Sequence, residues 1–190
     1  MDDRASAPMQ RVLVSGISGA GKTTLARRVA AALDLPYTEL DALHHGAGWV
    51  KRPEFEDDAA ALAAADRWIT EDQYQSFIGD LLWDRADTVL WLDLPRRVVM
   101  WRVTTRTVGR MLLRTKLYNG NRERVRNLAS SGHPIRWAWS QHADRRARTE
   151  AKAAEHPGVR VVRLRTAREA QAFLHGIGRG VHLEAARRRS

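Results

Sequence analysis

The chain has 190 residues, enough for one ordinary domain and too few for two large ones. With 44% hydrophobic residues it can fill a core, but no apolar run approaches the about 20 residues a membrane span needs, and the absence of cysteine excludes disulfides and thiolate metal sites. The formal net charge of +10 is unevenly placed: positions 96–150 hold 14 Arg or Lys against 3 Asp or Glu, and the rest of the chain is close to balanced. Such a segment draws anions; the bland alternative is a compositional bias toward Arg, which supplies 28 of the 32 basic residues.

Met1-Asp2-Asp3-Arg4-Ala5-Ser6 lacks the basic start and apolar stretch of a signal peptide. Residues 1–9 read as a disordered lead and a cytoplasmic location is expected. The run Arg11-Val12-Leu13-Val14-Ser15 predicts a buried strand. A helix is expected over 23–33, where Leu25, Val29, Ala32 and Leu33 recur at helical spacing. Pro36 separates it from a second strand over 37–40, and 42–52 reads as a loop with His44, His45, Gly46, Gly48 and Trp49. Pro53 with Glu54, Glu56, Asp57 and Asp58 opens a helix to about residue 65. A third strand follows over 68–70, a helix over 74–83 and a fourth strand over 88–93. Pro95 opens a helix reaching about 113, and 116–134 is a connection rich in Asn, Ser and Gly. A second basic helix covers 135–154 and a fifth strand 159–164. The capping box Thr166-Ala167-Arg168-Glu169 opens a last helix to about 176, ahead of a flexible basic tail over 177–190. Strands alternating with helices predict a three-layer α/β domain with a parallel sheet.

Between the first strand and its helix stands Gly16-Ile17-Ser18-Gly19-Ala20-Gly21-Lys22-Thr23, followed by Thr24. It matches G-x-x-x-x-G-K-[ST], the phosphate loop. Its glycines let successive N–H groups converge on phosphate oxygens, and the helix start adds its dipole. Lys22 is placed for the β- and γ-phosphates, and Thr23 for Mg²⁺. This predicts a nucleoside triphosphate bound with Mg²⁺. Three acidic positions fall at expected strand ends, where parallel sheets place ligands: Asp41, Glu71 with Asp72, and Asp93. Asp41 suits metal binding or proton acceptance from an acceptor hydroxyl, and Glu71 a water-mediated Mg²⁺ contact. A solvated carboxylate or a helix cap is the alternative for each. Arg102 and Arg106 share one helix face, as do Arg145 and Arg148; each pair suits phosphate oxygens or is a solvated face. No i, i+4 partner makes His44 or His45 a metal ligand. Trp49 lines an acceptor pocket or belongs to the core.

The chain resembles the adenylate-kinase-like P-loop kinases, most closely the bacterial group labelled topology modulation proteins. The residues that carry the likeness are 16–24; Leu40-Asp41-Ala42-Leu43 with Gly48-Trp49; Trp68-Ile69-Thr70-Glu71-Asp72-Gln73-Tyr74; and Ala86-Asp87-Thr88 with Leu92-Asp93-Leu94-Pro95-Arg96. Trp101-Arg102, Arg106 and Ile135-Arg136-Trp137-Ala138-Trp139 complete the set, which spans about 10–175. The resemblance implies a P-loop NTPase fold with a five-stranded parallel sheet in the order 2-3-1-4-5. It implies a single kinase domain over 10–176, with a helical basic lid at about 107–148. It places Arg102 near the adenine, Arg106, Arg145 and Arg148 at the phosphates, and Asp41 toward acceptor and metal. The implied activity is transfer of the γ-phosphoryl group of ATP to a small acceptor. Where these kinases read Asp-Gly, this chain has Glu71-Asp72, and Gln73-Tyr74-Gln75 replaces a stretch in which adenylate kinases carry a monophosphate-gripping Arg. Binding of nucleic acid by the basic segment, or slow NTP hydrolysis alone, are the competing readings.

Overall fold

In the computed structural model, residues 8–46, 50–113 and 134–187 are described, with their side chains except at 106–113, 134–140 and 179–187. Four β-branched or leucine-rich runs form strands: β1 (Arg11–Gly16), β2 (Trp68–Glu71), β3 (Thr88–Leu92) and β4 (Arg160–Leu164). All pair in parallel, in the order β2-β1-β3-β4. Parallel pairing needs crossover helices that cover both sheet faces, and the side chains divide accordingly with the strand period of two. Val12, Val14, Ile69, Leu90 and Leu92 join one core with residues of α1 (Lys22–Leu33), α6 (Arg96–Leu113) and α8 (Ala167–Arg187). Leu13, Trp68 and Val89 face the other way, against α2 (Leu40–His44), α3 (Phe55–Ala64) and α5 (Leu81–Arg85). Between α3 and α5 lies α4 (Gln75–Ile78), and α7 (Pro134–Glu155) precedes β4. Asp87 fixes the lower end of the sheet: its Oδ2 accepts the backbone N–H of Gln10 (3.0 Å) and of Arg11 (2.7 Å).

The three-layer parallel architecture is as expected, but the sheet has four strands rather than five. The segment expected as a second strand makes a single parallel bridge, Tyr37 to Ile69, and turns into α2 at Leu40. Leu40, Leu43 and His44 follow helical spacing, and Leu40 and His44 are buried. Packing of one helical turn therefore decides against extended structure, and part of the expected loop is helix. The helix expected over 74–83 is two short helices, broken at Gly79 (φ 55°). The last helix continues past Gly176 to Arg187; the apolar stripe of Ala170, Phe173 and Leu174 extends across the glycine to Ile177, which is buried in the core. The expected lead at 1–7, Gly48, Trp49, most of the 116–134 connection and the terminal residues 188–190 lie outside the described residues. No described helix is long and apolar enough to cross a membrane.

Candidate functional site

The end of β1 runs into a turn closed by Ala20 N–H donating to Ile17 C=O at 3.0 Å, and α1 begins at Lys22. Gly19 (φ 85°) and Gly21 (φ 101°) hold left-handed conformations that a side chain resists. A Cβ on Gly19 would collide with Val103 of α6. Neither a side-chain cap nor an acidic residue occupies the first turn of α1, so its first N–H groups and dipole remain available to an anion. Ile17 and Ala20 anchor the loop in the core, Ser18 lies half-buried, Thr23 is half-buried, and Thr24 is exposed.

Lys22 is 8% exposed, and its ammonium makes no ion pair among the described residues. Burial pushes it below the ordinary lysine range; the charges of Glu71, Asp41 and Asp72 oppose that, and Arg145 adds to it. A cation buried at such cost, near three carboxylates yet paired with none, is suited to receive an anion.

The carboxylates are held individually. Glu71 ends β2 and accepts from the Tyr37 hydroxyl (2.9 Å) and the Gln73 amide (3.1 Å). Burial, followed by the Glu71 charge, raises the Tyr37 phenol far above its ordinary range, which keeps it a donor. Asp72 accepts from Ser15 Oγ (2.7 Å) and Gln75 Nε2 (2.8 Å), and Arg145 Nη2 meets its Oδ2 at 3.0 Å. Arg145 also donates to the Asp72 carbonyl. Buried Thr149, one turn further along α7, lies 3.3 Å from Ser15 Oγ. Thus α7 is fastened to the ends of β1 and β2. Asp93 fastens α7 and β4 to β3: it accepts from Arg163 Nε (2.9 Å) and Nη2 (2.7 Å), with Arg146 at 3.5 Å. Arg163 in turn lies over the ring of buried Trp91, 4.1 Å from its centroid.

Asp41 stands in the first turn of α2 and accepts from the Tyr74 hydroxyl, which is also 3.0 Å from His45 Nε2. Tyr74 has φ 58°, a strained value for a tyrosine. Its ring stacks on His44 (4.0 Å, 11°) and meets the edge of Phe55 (5.3 Å). Burial, then the neighbouring His45, holds the His44 imidazole below its usual pKa and so neutral. Among the described residues no three His, Asp or Glu side chains converge closely enough to hold a metal ion alone. Mg²⁺ does not require that, since one or two carboxylates, a hydroxyl, phosphates and water suffice. Thr23, Asp41 and Glu71 supply that donor chemistry.

Beside the loop opens a cleft of about 290 Å³ between α1, β3, α6 and α8, floored by Leu25, Leu92, Leu94 and Leu174. Arg102 lines it and donates to the Ala20 carbonyl at 2.9 Å. The structure thus brings Asp41, Glu71 and Arg145 close to Lys22, while Arg102 lines the cleft beside the loop. Arg148 is exposed on α7. Arg106 belongs to α6, and its side chain lies outside the described ones. Sequence reasoning passed over Tyr74, Thr149 and Asp72 as an anchor. Only Asp72 carried a signal, its place directly after a predicted strand.

No protein-family model matches the chain. Cytidylate kinases from two strains of Nitratidesulfovibrio vulgaris are 43% identical over 56 residues, 30% of this chain. The match spans 24% of their own length. Among solved structures, shikimate kinase from Acinetobacter baumannii in complex with shikimate superposes with a TM-score of 0.54 at 16% identity, covering 95% of this chain and 97% of the other. Shikimate kinase from Bacteroides thetaiotaomicron gives 0.54 at 15% identity (92% and 99%). A gluconokinase from Sinorhizobium meliloti gives 0.51 at 20% identity (93% and 98%). At such identities the likeness is one of fold, and the fold is that of P-loop kinases.

Proposed function

We propose that the chain is a phosphotransferase that binds ATP with Mg²⁺ in its phosphate loop and passes the γ-phosphoryl group to a small-molecule or nucleotide acceptor. The observation that carries this reading is the buried side chain of Lys22, without an ion pair among the described residues, at the start of α1, where no side chain caps the helix. A glycine turn kept for structure alone has no need of a desolvated cation there. The left-handed glycines of the loop and the hydroxyl-carboxylate set of Thr23, Asp41 and Glu71 fit a magnesium-bound triphosphate, and Mg²⁺ would neutralise charge on its oxygens.

The same reading assigns a role to each side chain, supported for Lys22, Asp41 and Arg145 by their nearness to one another. The loop N–H groups from Gly16 to Thr24 and Lys22 hold the phosphates, and Arg102 covers the base side. Asp41 takes the proton of the acceptor hydroxyl as its oxygen bonds to the γ-phosphorus and the bond to the leaving ADP oxygen breaks. Lys22 and Arg145, joined by Arg106 and Arg148 from the basic segment, meet the charge spread over the transferring oxygens. The finer assignment is to the adenylate-kinase-like group, in the manner of the topology modulation proteins, with the basic segment over 107–148 as a lid. It is supported by the ordered motifs and by the short match to cytidylate kinases.

The test is an acceptor screen. The full chain is incubated with γ-labelled ATP, Mg²⁺ and nucleosides, nucleoside monophosphates, sugars, sugar acids and hydroxy acids. One phosphorylated acceptor formed well above the hydrolysis background is the expected result. Hydrolysis alone would reduce the chain to an NTPase, and no nucleotide binding would end the reading.

A further inference from the structure

The phosphate loop has little of its own to hold its shape. Inside it one backbone bond, from Ala20 N–H to Ile17 C=O, closes a turn. The next peptide joins Ala20 to Gly21, which is held at φ 101°. Glycine takes either sign of φ at little cost, so the chain alone does not stop this peptide from turning over. The two orientations differ for an anion. A trans peptide is planar, with its C=O and N–H on opposite edges. One orientation shows a phosphate the Gly21 N–H; the other shows it the Ala20 oxygen, which repels it.

Contacts from outside the loop decide between them. Arg102 of α6 donates from Nη1 to the Ala20 carbonyl at 2.9 Å. Within a turn of it, Val103 and the Val99 carbonyl close on Gly19, where a Cβ has no room. The Ala20 oxygen is thus fixed toward α6. Gly21 N–H is turned to the opposite edge, and among the described residues it makes no hydrogen bond. We infer that Arg102 is a positioning residue for the phosphate loop: by holding the Ala20 carbonyl it keeps the Gly21 N–H presented to the phosphates. The role is additional to its place along the cleft, since the carbonyl takes one of five guanidinium N–H groups. The inference rests on the nucleotide reading of the loop and deepens it.

Titration calorimetry of the full chain with two magnesium complexes tests it: tripolyphosphate, which has no base, and the β,γ-imido analogue of ATP. In Arg102→Met an apolar stem and good helix propensity are kept and the donor is lost; a thermal melt checks the fold. The variant is expected to bind both ligands more weakly by the same factor, about tenfold, the worth of one hydrogen bond from a charged group. That factor is expected to be equal at about 0.05 M and about 0.5 M salt, because a bond that orients a peptide is not screened as separated charges are. A loss confined to the ATP analogue makes Arg102 a base contact and overturns the inference. So does a factor that fades at high salt, which makes it a through-space cation for phosphate. Unchanged affinity for both ligands overturns it too, and with a lowered melting temperature makes Arg102 a brace of α6. If the unaltered chain binds the analogue but not tripolyphosphate, the inference falls and ATP binding stands; if it binds neither, the loop reading falls as well.

Discussion

The two sides of the sheet reach the same reaction centre by different means. On one side α1, α6 and α8 are long helices of 12, 18 and 21 residues, packed on the strands by apolar stripes, and the phosphate loop is shaped by backbone conformation. On the other, α2, α4 and α5 have four or five residues each. There Asp41 is placed by a stack of side chains, His44 on Tyr74 with Phe55 at its edge. Regular helices fix a backbone almost regardless of which apolar residue fills each place. A stack of three rings depends on each ring. On the proposed function, the side of the loop is accordingly general, and the side of Asp41 is where acceptor specificity would be written.

The sharpest division of that kind would come from Phe55→Ala. Removing a fully buried ring from the acceptor side should cost about 3–5 kcal/mol of unfolding free energy, read by urea denaturation. The affinity of the remaining folded protein for an ATP analogue should hold. A parallel loss of nucleotide binding would mean that the two sides are one cooperative unit. Lys22→Ala should do the reverse, lowering phosphoryl transfer by about 10²–10³-fold with the fold intact. Because burial outweighs the surrounding carboxylates at Lys22, Lys22→Met should leave the melting temperature of the nucleotide-free protein level or higher. A marked fall would show the ammonium to be a structural ion.

Tyr74→Phe keeps the ring between His44 and Phe55 and removes only the hydroxyl held by Asp41 and His45. Transfer to the acceptor found by screening should fall about tenfold, with ATP affinity unchanged; equal effects on both would erase the distinction. The smallest expected effect is on pH dependence. The folded state holds the His44 pKa below 6.5, so it binds fewer protons than the unfolded chain as pH falls. Stability is therefore complete above about 6.5 and lost progressively below it, down through the folded pKa. His44→Phe should remove that part of the acid-side loss in denaturation measured at several pH values.

The same asymmetry governs what could be read from the sequence. The Gly16–Thr23 loop, the four strands and the course of α1 follow from local patterns whose structure is itself local. The Pro53 signal also held, with α3 beginning two residues later at Phe55. The turn at Leu40 looked extended because Tyr37 and Thr38 favour strands; only the burial of Leu40 and His44 against the sheet makes it helical. The left-handed Tyr74 has no local signal, since its strain is held by contacts with α2 and α3, more than ten residues away. Gly176 resembled a helix stop because the burial of Ile177 in the core, one residue further on, cannot be seen from the sequence. Asp72 stood in plain view after a strand, but its bond to Ser15 depends on the register of β1 with β2.

The placement of Trp91 has a practical outcome. It pairs with Ser15 across the sheet, one residue ahead of the phosphate loop, and its indole lies under a guanidinium. Indole emission is sensitive to a cation at that range, so the protein carries an intrinsic optical gauge beside its own loop. A change in emission on adding a magnesium nucleotide, absent when Trp91 alone of the seven tryptophans is replaced by phenylalanine, would report occupancy of the loop.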